Sequence, residues 1–334
     1  MSDKTPGRRR LRVLSGIQPS GNLHIGNYFG ALRQYLRLQE EGHECLYFIA
    51  NYHALTSVGD GPTLRQYTAE LARGFLAVGL DPQRCLFFRQ SDVPEVTELA
   101  WILSCVTPMG LLQRCVSYKE KVDQGLAANH GLFAYPVLQA ADILIYGSHL
   151  VPVGQDQQQH LEVTRDIAAK FNNAYGELLV VPEAYILPET AVVPGLDGRK
   201  MSKSYGNTLE LFEPAGSVRR KIMRIVTDST PVAAAKDPEK CTVFALLKLA
   251  AGPEERALWR RRYIEGGMGY GEAKQRLAEL MNELLAPLRQ RYEALGRDSG
   301  YVEDVLREGA RRARALAGEL LERVRSATGL SART

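Results

Sequence analysis

VLSGIQPSGNLHIGNYFGALRQY, residues 13–35, runs from a short apolar stretch through a Gly/Pro/Ser turn into an amphipathic helix. In open α/β sheets, ligands bind beyond the carboxyl ends of the strands, where helix N-termini offer backbone N–H donors to phosphate. Gly16, Gly21, Gly26 and Gly30 let the backbone approach a ligand closely. The segment has no G-x-x-x-x-G-K-[ST], so it is not a P-loop, and its glycine spacing is not the dinucleotide fingerprint. On these residues alone, glycines that shape a tight turn and an ordinary loop histidine at His24 account for the segment equally well.

Outward from this segment the chain alternates. LRVL (11–14), CLYFIA (45–50), RCLFF (84–88) and ELLVV (177–181) read as buried strands, rich in branched and aromatic residues. Between them lie helical patterns. One faces inward with Tyr28, Leu32, Tyr35 and Leu36, a second with Leu64, Tyr67, Leu71 and Phe75, and a third with Leu161, Thr164, Ile167, Ala168 and Phe171. Strands alternating with helices of this length predict a parallel sheet with right-handed crossovers. Pro188, Pro194 and Gly195 mark a change of texture, and after about Gly206 the strand signals vanish. ERALWRRRYIEG, GEAKQRLAELMNELLAPLRQRYEAL and YVEDVLREGARRARALAGELLERVR read as helices with Arg-rich outer faces. The expected architecture is an α/β nucleotide-binding-type domain followed by a helical one.

With 334 residues the chain has room for about two domains. A hydrophobic share of 45% and a charged share of 24% exclude disordered, collagenous and coiled-coil classes. Cys45, Cys85, Cys105, Cys115 and Cys241 form no C-x-x-C pair and are odd in number, which argues against a disulfide framework or zinc site and for the cytoplasm. No secretory signal is expected, because the apolar run after Arg8, Arg9 and Arg10 is too short. The charge-free window from Gln124 to Ala141 is broken by Asn129, His130, Pro136 and Gln139, so no membrane span is expected. Residues 1–204 hold 19 basic against 20 acidic side chains, whereas 205–334 hold 23 against 18. The basic excess sits in the helical part, which points to a polyanion there; a solvated helix surface is the plainer account of the same charges.

GLDGRKMSKSYGN, residues 195–207, is the second informative stretch. Arg199, Lys200 and Lys203 fall within five positions of a Gly-rich loop. A solvated basic turn would account for these charges, but the composition also suits a loop that closes over a polyphosphate and stabilises transferring charge.

HIGN at 24–27 with KMSKS at 200–204 is the motif pair of the class I aminoacyl-tRNA synthetases, and the chain resembles the tryptophanyl-tRNA synthetases from about Arg12 to its C-terminal helix. SGIQPSGNLHIGN, YKEK (118–121), YPVLQAADIL (135–144) and VPVGQDQQQH (151–160) carry the resemblance in the same order. It implies a Rossmann-like parallel-sheet catalytic domain over residues 1–204, an all-helical anticodon-binding domain over 205–302, and a C-terminal helix over 303–334 packing back on the first. It also implies two reactions. The tryptophan carboxylate attacks the α-phosphate of ATP, releasing pyrophosphate, and the activated acyl group then passes to a ribose hydroxyl of tRNA(Trp). Mg2+ would be held mainly by the ATP phosphates. The family is typically homodimeric, and tRNA would then span both subunits.

Carried over residue by residue, the resemblance puts Gln18, Pro19 and Ser20 on the turn lining the ATP site. His24 would donate to the phosphate region and Gly26 would leave room for adenine, with Asn27 following. Gly154, Gln155 and Asp156 match the next ATP-lining turn, and Val192 precedes the mobile loop of Lys200, Met201, Ser202, Lys203 and Ser204. Lys203 is the residue expected on the phosphates in the transition state, with Lys121 a further candidate at the pyrophosphate end. Asp142 is expected to accept the indole N–H, since one group is a donor only and the other an acceptor only. Gln139, Gln157, His53, Val151, Val153, Leu14 and Gly16 match positions around the indole pocket.

Two residues depart from the family pattern. Gln139 stands where bacterial members usually carry Met, and Gln155 where Glu is common. A glutamine at the first position occurs in tyrosine-specific relatives, which makes a tyrosyl-tRNA synthetase the alternative. Against it, the first-strand tyrosine of the tyrosine branch aligns with Leu14. A HIGH-containing small-molecule nucleotidyltransferase would not need the basic helical part. A synthetase-like binding protein without ligase activity would be expected to have lost His24, Gly26, Lys200 and Lys203.

Overall fold

The computed structural model describes residues 10–115, 129–154, 158–185 and 193–331. Its sheet has the order β3-β2-β1-β4-β5, with every neighbouring pair parallel. β1 (Arg12–Ile17), β2 (Glu44–Ile49) and β3 (Cys85–Arg89) are the first three expected strands, buried on both faces as a helix-covered sheet requires. β1 stays in register with β2 from Arg12↔Glu44 to Ile17↔Ile49. With β4 (Leu150–Pro152) it shares, among the described residues, only Val13↔Leu150. Beyond that pair the strands separate, and a crevice opens where the strand order reverses.

One strand falls elsewhere than expected. ELLVV at 177–181 is not a strand; β5 is Glu183–Tyr185, paired with β4. The buried Asn172 explains the difference. Its Oδ1 accepts from the Leu178 and Leu179 amides at 3.2 and 2.9 Å, and its Nδ2 donates to the Leu179 carbonyl at 2.8 Å. Apolar residues there are held by a side chain instead of a ladder.

The first crossover is helical but not uniformly α. After α1 (Ile25–Asn27) comes a π-turn, Tyr28–Leu32, and then α2 (Arg33–Glu40). The wider turn rotates the helix face. Leu32, Gln34, Tyr35, Leu38 and Gln39 are buried, while Tyr28 and Leu36 are only half-buried. The turn therefore brings the polar Gln34 inward.

The remaining elements of the sheet half are α3 (Asn51–Ala54), α4 (Gly61–Val78), α5 (Glu95–Ser104), α6 (Met109–Gln113), α7 (His130–Leu144) and α8 (Gln158–Tyr175). From residue 206 onward the described regular structure is helical, chiefly α9 (Ala215–Met223), α10 (Thr242–Ala250), α11 (Pro253–Glu265), α12 (Tyr270–Arg297) and α13 (Ser299–Thr328). One apolar cluster runs without a break from Val13, Tyr47 and Phe87 through Met201, Leu209 and Val218 to Phe244, Leu277 and Met281. A second cluster on the other sheet face joins Leu14, Phe48 and Val151 to Ala313, Ala317 and Leu321 of α13. α13 lies on β3 and α5, tied by Arg325–Glu98, Arg314–Glu95 and Arg89–Glu303.

Candidate active site

The crevice between β1 and β4 is a cleft of about 610 Å³. It collects Leu14, Gly16, Gln18, Asn27, His53, Gln139, Asp142, Val151, Val153 and Gly154 of the expected residues. Gln139 and Asp142 stand three positions apart on α7 and both face the cleft. Gly16 has a packing reason of its own, since a Cβ there would lie 2.5 Å from the Phe48 ring.

Asp142 anchors one end. It is 2% exposed. His53 Nε2 is 3.0 Å from Oδ2, and Gln90 Nε2 donates to Oδ1 and Oδ2 at 2.9 and 2.8 Å. Burial pushes the Asp142 carboxyl above its ordinary range, and the His53 and Gln90 hydrogen bonds oppose that shift. A carboxylate offers about four lone-pair sites, so these contacts leave room for one more donor on Oδ1. Tyr135 lines the same wall, its hydroxyl 3.0 Å from His160 Nε2.

Ser20, His24, Gly26 and Lys203 do not line the cleft itself; they stand beside its Gln18 and Asn27 edge. Asn27 Oδ1 accepts from the His24 amide at 3.1 Å and fixes the turn into α1. The His24 imidazole is buried, and its Nδ1 has no hydrogen-bond partner among the described residues. Burial, with the nearby Lys203 charge second, lowers its pKa to about 4, so at neutral pH it is an uncharged imidazole. A Cβ at Gly26 would press on that ring. Lys203 Nζ lies 3.4 Å from Ser20 Oγ. Burial lowers its ammonium from the ordinary range, opposed by Glu210. The two motifs, at 24–27 and 200–204, thus lie together, with Lys203 near His24 and Met201 near Gly26.

The loop carrying Lys203 is organised from within. Asn207, 3% exposed, accepts from the Ser202 amide at 2.8 Å and donates to Asp197 Oδ1 at 2.7 Å and the Lys200 carbonyl at 3.2 Å. Ser202 and Ser204 share a hydrogen bond at 2.8 Å, Met201 packs into the core, and Lys200 bridges to Pro194. Pro19 sits between Gln18 and Ser20 on the connecting turn. Lys121, Gln155, Asp156, Gln157 and Val192 lie outside the described residues.

Gln90, Tyr135, His160 and Asn207 did not figure among the residues expected from the sequence. Gln90 had a usable signal, a polar residue directly after a buried strand of a parallel sheet. Asn207 had none beyond its place after KMSKS.

The family model for class I tRNA synthetases (W and Y) matches residues 5–286. A tryptophan–tRNA ligase of Rhodopirellula baltica is 53% identical over 320 residues, covering 96% of this chain and all of that protein. The tryptophanyl-tRNA synthetase of Campylobacter jejuni, solved in complex with ADP and tryptophan, superposes with a TM-score of 0.89 at 49% identity, over 96% of this chain and 100% of that one. A tyrosyl-tRNA synthetase of Archaeoglobus fulgidus, at 22% identity and a TM-score of 0.66, shares the fold. The chain therefore belongs to the class I tRNA synthetases of the tryptophan and tyrosine group, and within it to the tryptophan–tRNA ligases.

Proposed function

We infer that the cleft activates tryptophan with ATP and passes the acyl group to tRNA(Trp). The observation that carries this reading is Asp142, a buried carboxylate with a free acceptor site in a cleft whose Asn27 side joins the His24 turn and Lys203. The indole enters among Leu14, Val151 and Val153 and donates to Oδ1. ATP lies across Gln18–Ser20, His24 and Gly26, where the uncharged imidazole donates to a phosphate oxygen and Gly26 leaves room for adenine. The tryptophan carboxylate oxygen attacks the α-phosphorus, the bond to the bridging oxygen breaks, and pyrophosphate leaves with its charge met by Lys203. A ribose hydroxyl of the tRNA terminus then attacks the acyl carbon and AMP leaves. Positioning and fixed charge supply the catalysis, so no side-chain nucleophile is needed. Mg2+ arrives with the ATP as part of the substrate.

The helical part, about 205–302, is assigned to the anticodon arm. Arg260, Arg261 and Arg262 are each paired with an acidic neighbour, Glu239, Glu265 and Glu272. Arg219, Arg220 and Arg224 on and just after α9 are exposed with no such partner among the described residues, and are the better phosphate contacts. A homodimer would account for exposed apolar side chains such as Leu55, Trp101 and Met109, which are 62%, 72% and 62% exposed. No described helix is long and apolar enough to cross a membrane, and translation assigns the chain to the cytoplasm. ATP–pyrophosphate exchange with each amino acid in turn tests the reading: tryptophan alone should support it, and Asp142→Ala should abolish it while ATP binding survives. Exchange driven by tyrosine in preference to tryptophan would overturn it.

A further inference from the structure

We propose that Gln90 is a specificity-determining positioning residue, a neutral clamp that holds the Asp142 carboxylate by both oxygens and aims its remaining acceptor site at the substrate. This rests on the reading that Asp142 accepts the indole N–H. Gln90 has no exposed surface. Its Nε2 spans both Asp142 oxygens, which stops rotation of the carboxylate about its own axis. Its Oε1 accepts from the Tyr52 amide at 3.0 Å, so the carboxamide is held in turn and cannot flip. Next to it, Ser91 and Asn51 exchange two hydrogen bonds, Asn51 Nδ2 to Ser91 Oγ at 2.7 Å and Ser91 N to Asn51 Oδ1 at 3.0 Å. The turn after β3 is thereby laced to α3, which also brings His53 to Asp142. Three separate segments, α3, the turn 90–92 and α7, close on one carboxylate.

The clamp's neutrality is the functional point. A Lys or Arg at residue 90 would hold Asp142 equally well but would cancel the charge the substrate donor meets. A carboxamide's hydrogen bonds favour the ionised form of the carboxylate without adding a positive charge beside it. The groups around Asp142 are His53 from α3, Gln90 from the turn after β3, and Tyr146 beyond the end of its own helix, with Glu95 of α5 acting on Tyr146 from the far side. No Lys or Arg makes an ion pair with Asp142 among the described residues.

Gln90→Met removes the donor and keeps the volume. Tryptophan KM in pyrophosphate exchange is expected to rise about 10- to 100-fold at pH 7, the range for losing hydrogen bonds to a charged group. ATP KM and kcat at saturating tryptophan should stay within about threefold of the parent. Between pH 6 and 8.5, tryptophan KM of this variant should fall with rising pH, as the unsupported carboxyl ionises. Gln90→Glu should slope the other way, because a Glu that shares a proton with Asp142 imitates the amide at low pH and loses that role as the proton leaves. Packing loss alone cannot give opposite slopes. Parallel slopes, or a Gln90→Met tryptophan KM equal to the parent's, would overturn the proposal. Asp142→Asn, measured alongside, separates the two levels. If it leaves tryptophan KM unchanged, the indole reading itself fails; if it raises KM while Gln90→Met does not, only the clamp fails.

Discussion

Removing the Asn207 carboxamide asks whether the Lys203 loop is preset before substrate arrives. The side chain makes two neutral hydrogen bonds, with the Ser202 amide and the Lys200 carbonyl, and one with the Asp197 carboxylate. Neutral bonds contribute about 0.5–1.5 kcal/mol and charged ones about 1.5–3, so the three together reach about 2.5–6 kcal/mol. Water reaches this loop and recovers part of that, leaving about 2–4 kcal/mol that must be spent to order the loop each time it closes on the phosphates. At about 1.4 kcal/mol per factor of ten, Asn207→Ala should slow tryptophan-dependent pyrophosphate exchange about 30- to 1,000-fold. Tryptophan affinity, measured by calorimetry without ATP, should hold within about twofold, because none of these contacts reaches Asp142.

The structure supplies a second route to the same defect. A Cβ at Gly195 would fall inside the Asn207 carboxamide, so Gly195→Ala must expel that side chain and should be nearly as slow as Asn207→Ala. Once Asn207 is already Ala the clash is gone, and adding Gly195→Ala should cost little more. A double-mutant cycle should therefore return a coupling energy close to either single effect. Additive losses would refute the picture of one carboxamide organising the loop. So would a fall in tryptophan affinity that tracks the fall in rate.

Lys203→Ala should lower the activation rate about 100- to 1,000-fold, the usual cost of losing one charge-stabilising donor, with tryptophan binding preserved; equal losses in both would mark Lys203 as a ground-state or folding residue. His24, with its pKa lowered to about 4, binds a proton less readily folded than unfolded. Its contribution to stability is therefore complete above about pH 6.5 and lost as pH falls toward 4, and the parent's melting temperature should drop more steeply across that window than that of His24→Asn. On α13, Gly309→Ala should lower the melting temperature, since its Cβ would run into the Phe87 carbonyl of β3. Gly318→Ala, with nothing within 4 Å, should raise it by the helix-propensity gain of about 0.5–1 kcal/mol; thermal unfolding of both reads the sign directly.

What the sequence disclosed follows from the range over which each signal acts. β1, β2, β3 and the long helices were legible because apolar periodicity is local, and the ends of these elements shifted by a few residues only. The ELLVV stretch misled because its backbone is satisfied by Asn172, a side chain from the preceding helix that no periodicity reveals. The π-turn at Tyr28–Leu32 was equally silent, and it decides that Gln34 faces inward. Asp142, His53 and Gln139 came from motif resemblance and do line one cleft. Gln90 and Asn207 were missed for a common reason. Each hydrogen-bonds a residue that the motifs mark, and motif matching reads the marked residue rather than its partner; the place of Gln90 directly after β3 was the one local signal available.

The two ends of the cleft are set apart by charge, and the fold makes that separation inexpensive. Asp142, at one end, is held by hydrogen bonds with His53 and Gln90, with no Lys or Arg paired to it among the described residues. Lys203 is solvent-exposed beside the first turn, next to an imidazole that stays uncharged at neutral pH and so adds no second positive charge. On the proposed reading, ATP would be drawn to Lys203 and repelled from Asp142, while an indole N–H would prefer Asp142 and gain nothing from Lys203. Neither charge has to be carried by a strand interior. β1 and β4 part after Val13↔Leu150, so the crevice is bounded by strand ends and the turns that follow them. Both charges can then sit on a turn or a helix, with their backbone satisfied locally. On that reading, electrostatics would orient the two substrates before any reacting atom is in reach.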